Sequence, residues 1–300
     1  MKSSACFQII MVFALIFTAC KSKPIAPETV VPETVVPETE AVPSPSATLA
    51  FTGIQADDVE HLRVSYNLEV KAPLAGRARI ESCKIESWRV LIDGQDAGFA
   101  FSLHYPQAEF TIDSAITLTL NMDIAALAAK GLAPKDDYAV TLTADLDVFS
   151  GTALPAHITA QGTANFPGIQ EPRFIITSIA VIKAELINTR FRVNMRIDNP
   201  NPFPLEMSGL SYKLYGNGRH WADGIDKNSF VVNGRSSVQG NLYLLMNFID
   251  MDRNLLNQIV NLVDVNYHFT GEAQVSTGID YLPKFKKGFD LSGYSEVLDK

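Results

Sequence analysis

The sequence predicts an all-β protein with a minor helical component: two tandem antiparallel β-sandwiches, each interrupted once by a short helix. Three observations carry this prediction. The first is strict alternation. Phe191, Val193, Met195 and Ile197 fall on one face of a strand, and Arg190, Arg192, Asn194, Arg196 and Asp198 on the other, the period of a half-buried strand. The second is the stop that follows. Pro200 and Pro202 remove two backbone donors, so the ladder cannot continue. The third is repetition. Leu62, Val64, Tyr66, Leu68 and Val70 alternate with polar residues up to Pro73, and Pro73 lies 127 residues before Pro200. Each apolar position from Val64 to Val70 falls on an apolar position at that same offset.

Taken in chain order, residues 1–19 read as an export signal. Lys2 is their only charge, and Cys6 to Phe17 form an apolar stretch of twelve residues. That is too short to cross about 30 Å of hydrocarbon as a helix. Phe17, Thr18, Ala19 and Cys20 resemble a bacterial lipobox, which predicts Cys20 as a lipidated mature N-terminus. The rival reading is an uncleaved anchor. Residues 20–48 then form a tether. Pro27-Glu-Thr-Val-Val31 recurs at 32–36 and begins again at Pro37. With no apolar face to bury, the 28 residues after Cys20 in polyproline form would reach about 80 Å. A polyproline ligand for a partner domain is the second reading of this segment.

The first sandwich is assigned to residues 49–168 and the second to 169–300. In the first, Trp88 to Ile92 lead into Asp93-Gly94, and in the second Tyr212 to Gly216 lead into Asn217-Gly218, an offset of 124. Both pairs suit a two-residue hairpin, whose central residues need positive φ. Phe110 and Ile112, then Ile116, Leu118 and Leu120, then Tyr138 to Val148 give further strands. Phe230 to Val232, Leu242 to Leu244 and Val265 to Phe269 do so in the second copy. Asp123 is expected to cap a helix from Ile124 to Lys130 that ends at Gly131. Its counterpart runs from Asp252 to Val263, capped by Asp250 or Asp252, with Leu255, Leu256, Ile259 and Val263 on one face. Leu154-Pro155 matches Leu282-Pro283 at an offset of 128.

The run Asp198, Asn199, Pro200, Asn201, Pro202, Phe203, then Leu210 to Tyr215, then Asp223-Gly224 resembles the late embryogenesis abundant type 2 family. Its module is called WHy, for water stress and hypersensitive response. The resemblance is specific in the second copy. The first copy has Lys71-Ala72-Pro73 at the stop, without asparagine, and enters through the repeat. The resemblance implies a small immunoglobulin- or fibronectin-III-like antiparallel sandwich with one short helix, an association with desiccation, and no catalytic residues. Asp198, Asn199, Pro200, Asn201, Pro202 and Gly224 are then a structural motif.

Composition narrows the remaining function classes. Apolar residues make up 47% of the chain, enough for two cores, and a formal charge of −8 argues against nucleic acid. With Cys6 removed and Cys20 acylated, Cys83 is a lone thiol, read as a small buried apolar residue. No Gly-x-Ser-x-Gly, Gly-rich phosphate loop or His-Glu-x-x-His is present. Asp250 and Asp252 read as caps rather than a metal pair, and Asp57-Asp58 and Asp136-Asp137 as turn carboxylates. No catalytic, metal or cofactor site is expected. Arg190, Arg192 and Arg196 read as a solvated face salt-bridged to its neighbours, with an anion or lipid-headgroup site as the alternative. Trp221, just past a hairpin, is the candidate exposed aromatic for a partner. Two functions follow: a non-enzymatic, lipid-anchored stress or interaction module of a bacterial cell envelope, or an envelope protein that binds lipid or another hydrophobic ligand. Clean alternation favours the first, because a one-sided core leaves no second apolar face.

Overall fold

The structure is a computed structural model that describes residues 44–71, 81–105, 109–110, 115–149, 155–184, 188–247 and 264–299. The residues from Val42 onward form one compact unit. It is built almost wholly of strands: β1 (Ser46–Ala56), β2 (His61–Lys71), β3 (Ser82–Ile92), β4 (Gln95–Asp96), β5 (Phe101–His104), β6 (Glu109–Phe110), β7 (Ile116–Asp123), β8 (Asp137–Phe149) and β9 (Ala156–Pro167). These are followed by β10 (Arg173–Ala184), β11 (Asn188–Asn199), β12 (Leu205–Gly216), β13 (Arg219–Asp226), β14 (Phe230–Val232), β15 (Ser236–Asn247), β16 (Asp264–Ser276) and β17 (Lys284–Asp299). Among the described residues, one α-helix, α1 (Ile124–Ala128), and a 3-10 turn at Gly98–Ala100 interrupt them.

In the first sandwich, a sheet of order β1-β2-β7-β5 faces one of order β4-β3-β8-β9, with β6 added to β3. The alternation of β2 is the reason for this layering. Leu62, Val64, Tyr66, Leu68 and Val70 are buried, while their neighbours reach solvent in whole or part. Tyr66 crosses the core and donates its hydroxyl to the Val140 carbonyl of the opposite sheet at 2.8 Å. A buried phenol needs such a partner. Gly162 of β9 lies so close to the Leu49 carbonyl of β1 that a side chain there would collide with it. The two sheets meet at that edge.

The second sandwich repeats the pairing. β10 and β11 pair as β1 and β2 do, and β11 and β15 as β2 and β7 do. β12 and β16 match β3 and β8, and β16 and β17 match β8 and β9. Both hairpin turns have the positive φ that a two-residue loop requires: 49° at Asp93 and 82° at Gly94, then 50° at Asn217 and 77° at Gly218. The second copy differs in its closure. A short parallel pairing, Ile179 with Val297 through Val181 with Asp299, joins β10 to β17. The strands therefore form one continuous order, β13-β12-β16-β17-β10-β11-β15, with β14 added to β12. Phe191, Val193, Met195 and Ile197 pack with Leu214, Phe269 and Val275 in its core.

The helix α1 ends earlier than the sequence suggests. Asp123 accepts a hydrogen bond from the Ala126 amide at 2.9 Å. At the other end, Gly131 adopts φ 73°. The Gly131 and Leu132 amides turn back to the Ala128 and Leu127 carbonyls, the Schellman closure. The second helix expected, Asp252 to Val263 with its candidate caps Asp250 and Asp252, lies outside the described residues, as do Ile112, Cys20 and the tether up to residue 43. The last tether residues, Ser46 to Thr48, instead open β1, paired with Lys71 to Glu69 of β2.

Candidate functional site

The stop after β11 is a buried hydrogen-bonded knot. Asn199 is 2% exposed and Asn201 0%. The Asn199 amide donates to the carbonyls of Phe203, Val232 and Asn233 at 2.7, 3.1 and 3.2 Å. Its oxygen accepts from the backbone and side-chain nitrogens of Asn201, both at 2.9 Å. Asn201 in turn exchanges a pair of bonds with Gln170: its Nδ2 donates to the Gln170 carbonyl at 2.8 Å, and its Oδ1 accepts from the Gln170 amide at 2.7 Å. The Arg235 amide closes on the Asn201 carbonyl at 2.8 Å. Gly234 packs so tightly on Pro202 that a Cβ there would strike its backbone. Every polar atom of both asparagine side chains is thus spent on the fold, leaving none to present to a ligand. Asp198 is half-buried and pairs with Arg196. Gly224 lies opposite Tyr212, whose ring occupies the space a side chain would need.

Trp221 is not an exposed partner contact. It is 3% exposed and stacks on Phe191 with ring centroids 5.2 Å apart. The register of β12 with β13 slips between Leu214 and Tyr215. The slip lets Trp221 and Ala222 both turn inward, and Gly216 supplies the slot, since a Cβ there would run into the indole. The arginine face remains on the surface. Arg190 and Arg196 are exposed and Arg192 half-buried. Arg196 meets Asp198, Nε to Oδ1 at 2.9 Å. Arg190 and Arg192 have no acidic partner among the described residues, and the Arg192 Nε is buried with none at all. Cys83 is buried, which pushes its thiol up to about 11.

Two open grooves accompany the knot. One, of about 640 Å³, lies between the sandwiches, with Val59, Ile124, Ile169, Phe174, Phe289 and Leu291 in its walls and Lys287 paired to Glu171 at its rim. The other, of about 670 Å³, lies beside Asp57, Asp58, His61 and Arg63 with Phe99 exposed. There Asp58 accepts from the Glu60 and His61 amides and from the His61 ring. Burial works against its charge, but these bonds outweigh it and hold the carboxyl below its ordinary value. The same contact raises His61 above its own. Among the described residues, no group of three or more His, Cys, Asp or Glu side chains is placed to hold a metal. The Asp58 to His61 spacing is visible in the sequence, but two residues three apart in a polar loop carry no distinguishing signal.

No curated protein matches the chain. A crystal structure of a protein from Archaeoglobus fulgidus is similar at 16% identity and a TM-score of 0.26, over 42% of this chain and 97% of that one. Bacteroides uniformis beta-glucuronidase is similar at 11% identity and a TM-score of 0.27, over 78% of this chain but 26% of the enzyme. The periplasmic chaperone SfaE aligns over 85% of this chain and 100% of its own at 11% identity and a TM-score of 0.21. These likenesses are too weak to bear on function. The family comparison is specific: residues 194–283, from the middle of β11 to the residue before β17, match the family described as Late embryogenesis abundant protein.

Proposed function

We propose that this chain is a non-enzymatic stress-protection or interaction module. Lipid on Cys20 tethers it to a membrane of a bacterial cell envelope, and it acts when water is withdrawn. One observation carries the reading: the residues that match the family include a knot whose asparagines are fully occupied by backbone groups and by each other. The part of the chain that defines the family is therefore scaffold, and any contact with clients falls to the sheet faces around it. A short apolar segment ending in Thr18-Ala19-Cys20, then a proline-rich spacer, supports the tether. The test is survival of drying by cells that carry the chain, cells that lack it, and cells with Cys20→Ser. Loss of protection in both altered strains is expected, with the variant released from membranes. Equal survival in all three overturns the stress role. A wild-type protein that starts at another residue and stays soluble overturns the anchor.

A second reading is a carrier of lipid or another hydrophobic ligand, favoured by the apolar walls of the groove between the sandwiches. Native mass spectrometry of the purified protein separates the two, since a carrier arrives with bound lipid mass.

A further inference from the structure

The outer face of β10, β11 and β15 differs from the rest of the molecule in charge. Among the described side chains of these three strands, Arg173, Arg190, Arg192 and Arg196 stand against one acid, Asp198, in a chain of net charge −8. The same face is unusually apolar. Among the described residues nine large hydrophobic side chains are exposed, and Ile175, Ile182, Tyr243 and Leu245 lie on β10 and β15. Register mixes the two chemistries. Arg192 sits between Ala180 and Tyr243, Arg196 lies beside Ile175, and Arg190 lies beside Leu245. Tyr243 is 66% exposed and Leu245 57%.

We propose that this face docks on the anionic phospholipid headgroups of the membrane to which the chain is tethered. The proposal rests on the tether reading above. Exposed Tyr and Leu next to arginine suit the boundary between headgroup and acyl chain, where an apolar body sinks and a cationic end stays with phosphate. Each basic residue near an anionic surface strengthens docking roughly fivefold, the equivalent of about 1 kcal/mol. A second copy of the chain fits poorly, because a two-fold contact would set this arginine row against itself. The remaining surface is negative on balance and is repelled, so the membrane's charge selects which face turns toward it. A tether keeps that face at high effective concentration, so weak docking suffices.

The test uses the full-length protein, purified in detergent and reconstituted into vesicles of phosphatidylcholine with or without phosphatidylglycerol. Flotation reports the anchor. Quenching of a Tyr243→Trp variant by brominated acyl chains, above the background of the unsubstituted protein, reports the face. Quenching is expected only with phosphatidylglycerol, and it should vanish at high salt. Arg190→Gln and Arg196→Gln should each weaken docking roughly fivefold. Leu245→Ser should weaken it too, and Ile225→Ser, on the far edge strand β13, should leave it intact. Equal quenching in both vesicle types, or indifference to the arginine variants, overturns the proposal. So does burial of Trp at 243 that depends on protein concentration or on an added envelope protein. Failure to float on phosphatidylcholine overturns the tether alone. Mixing with phosphatidylglycerol vesicles then still decides the face.

Discussion

Asn199 turns a strand end into a fixed corner, and its cost of removal follows from its bonds. Asn199→Ala strands the Phe203 and Val232 carbonyls and the Asn201 amide in a buried setting. Each unsatisfied group costs about 1–3 kcal/mol, and relaxation recovers part of it. A loss of roughly 2–4 kcal/mol is expected, read from the urea midpoint. That exceeds the ~1 kcal/mol of a single local turn bond, which is all that Asn-Pro-Asn suggests as a sequence. The pattern shows a turn but not that Gln170, Val232 and Asn233 converge on it, because those contacts span about 30 residues or more of chain. Trp221 was illegible for a related reason. Its burial depends on a slip of one residue in pairing and on the absent side chain at Gly216, and neither leaves a mark on the alternation.

Also at this scale, His61 and Asp58 predict a pH dependence. In the folded chain the Asp58 contact raises the His61 pKa above its ordinary value, and the bonds Asp58 accepts hold its own below its ordinary value. The histidine contribution is complete below its unfolded pKa and disappears as pH rises through the raised folded value. The aspartate contribution is present above its unfolded pKa and disappears as pH falls through the lowered folded value. Their attraction therefore operates between those two folded values. Proton NMR of the imidazole should show a titration raised above that of an ordinary histidine, which returns toward the ordinary value in Asp58→Asn.

At the scale of elements, the strands were readable wherever one face meets the core. Leu62 to Val70 and Phe191 to Ile197 follow period two because a shift of one residue would expose the whole apolar set. The hairpins at Asp93-Gly94 and Asn217-Gly218 were readable because positive φ narrows the choice of residues. The length of α1 was less so. Lys130 is a good helix former, but Gly131 turns the chain and recruits the Ala128 carbonyl first. Since only five residues lie in that helix, its cap carries much of its stability. Asp123→Ala should cost about 1 kcal/mol, while Asp123→Ser should recover most of it. A matched pair of denaturation curves decides this.

At the scale of the molecule, a duplicated pattern predicts two cores but conceals their seam, because contacts between copies have no counterpart inside either copy. Tyr281 of the second copy stacks edge-on against Phe166 of the first at 6.0 Å and donates its hydroxyl to the Pro167 carbonyl. Arg235 pairs with Asp136 across the same seam. Residues 169–300 expressed alone are expected to fold cooperatively. They should be roughly 2–3 kcal/mol less stable than in the full chain, from one aromatic pair, one hydrogen bond and a partly exposed ion pair. Calorimetry of the fragment beside the whole protein tests this. An aggregated or molten fragment would mean that the copies depend on one another to fold.

The parallel clasp between β10 and β17 orders events in time. The first sandwich has all its described strands once Pro167 has been synthesised. The second cannot close until Val297, Leu298 and Asp299 arrive to meet Ile179, Ala180 and Val181, more than a hundred residues later in synthesis. Loops that long close slowly. During that interval β10 waits beside a finished neighbour with one edge unpaired. Maturation of this protein is therefore asymmetric: the N-terminal sandwich is complete first, and the half that carries the family pattern is sealed only when β17 arrives.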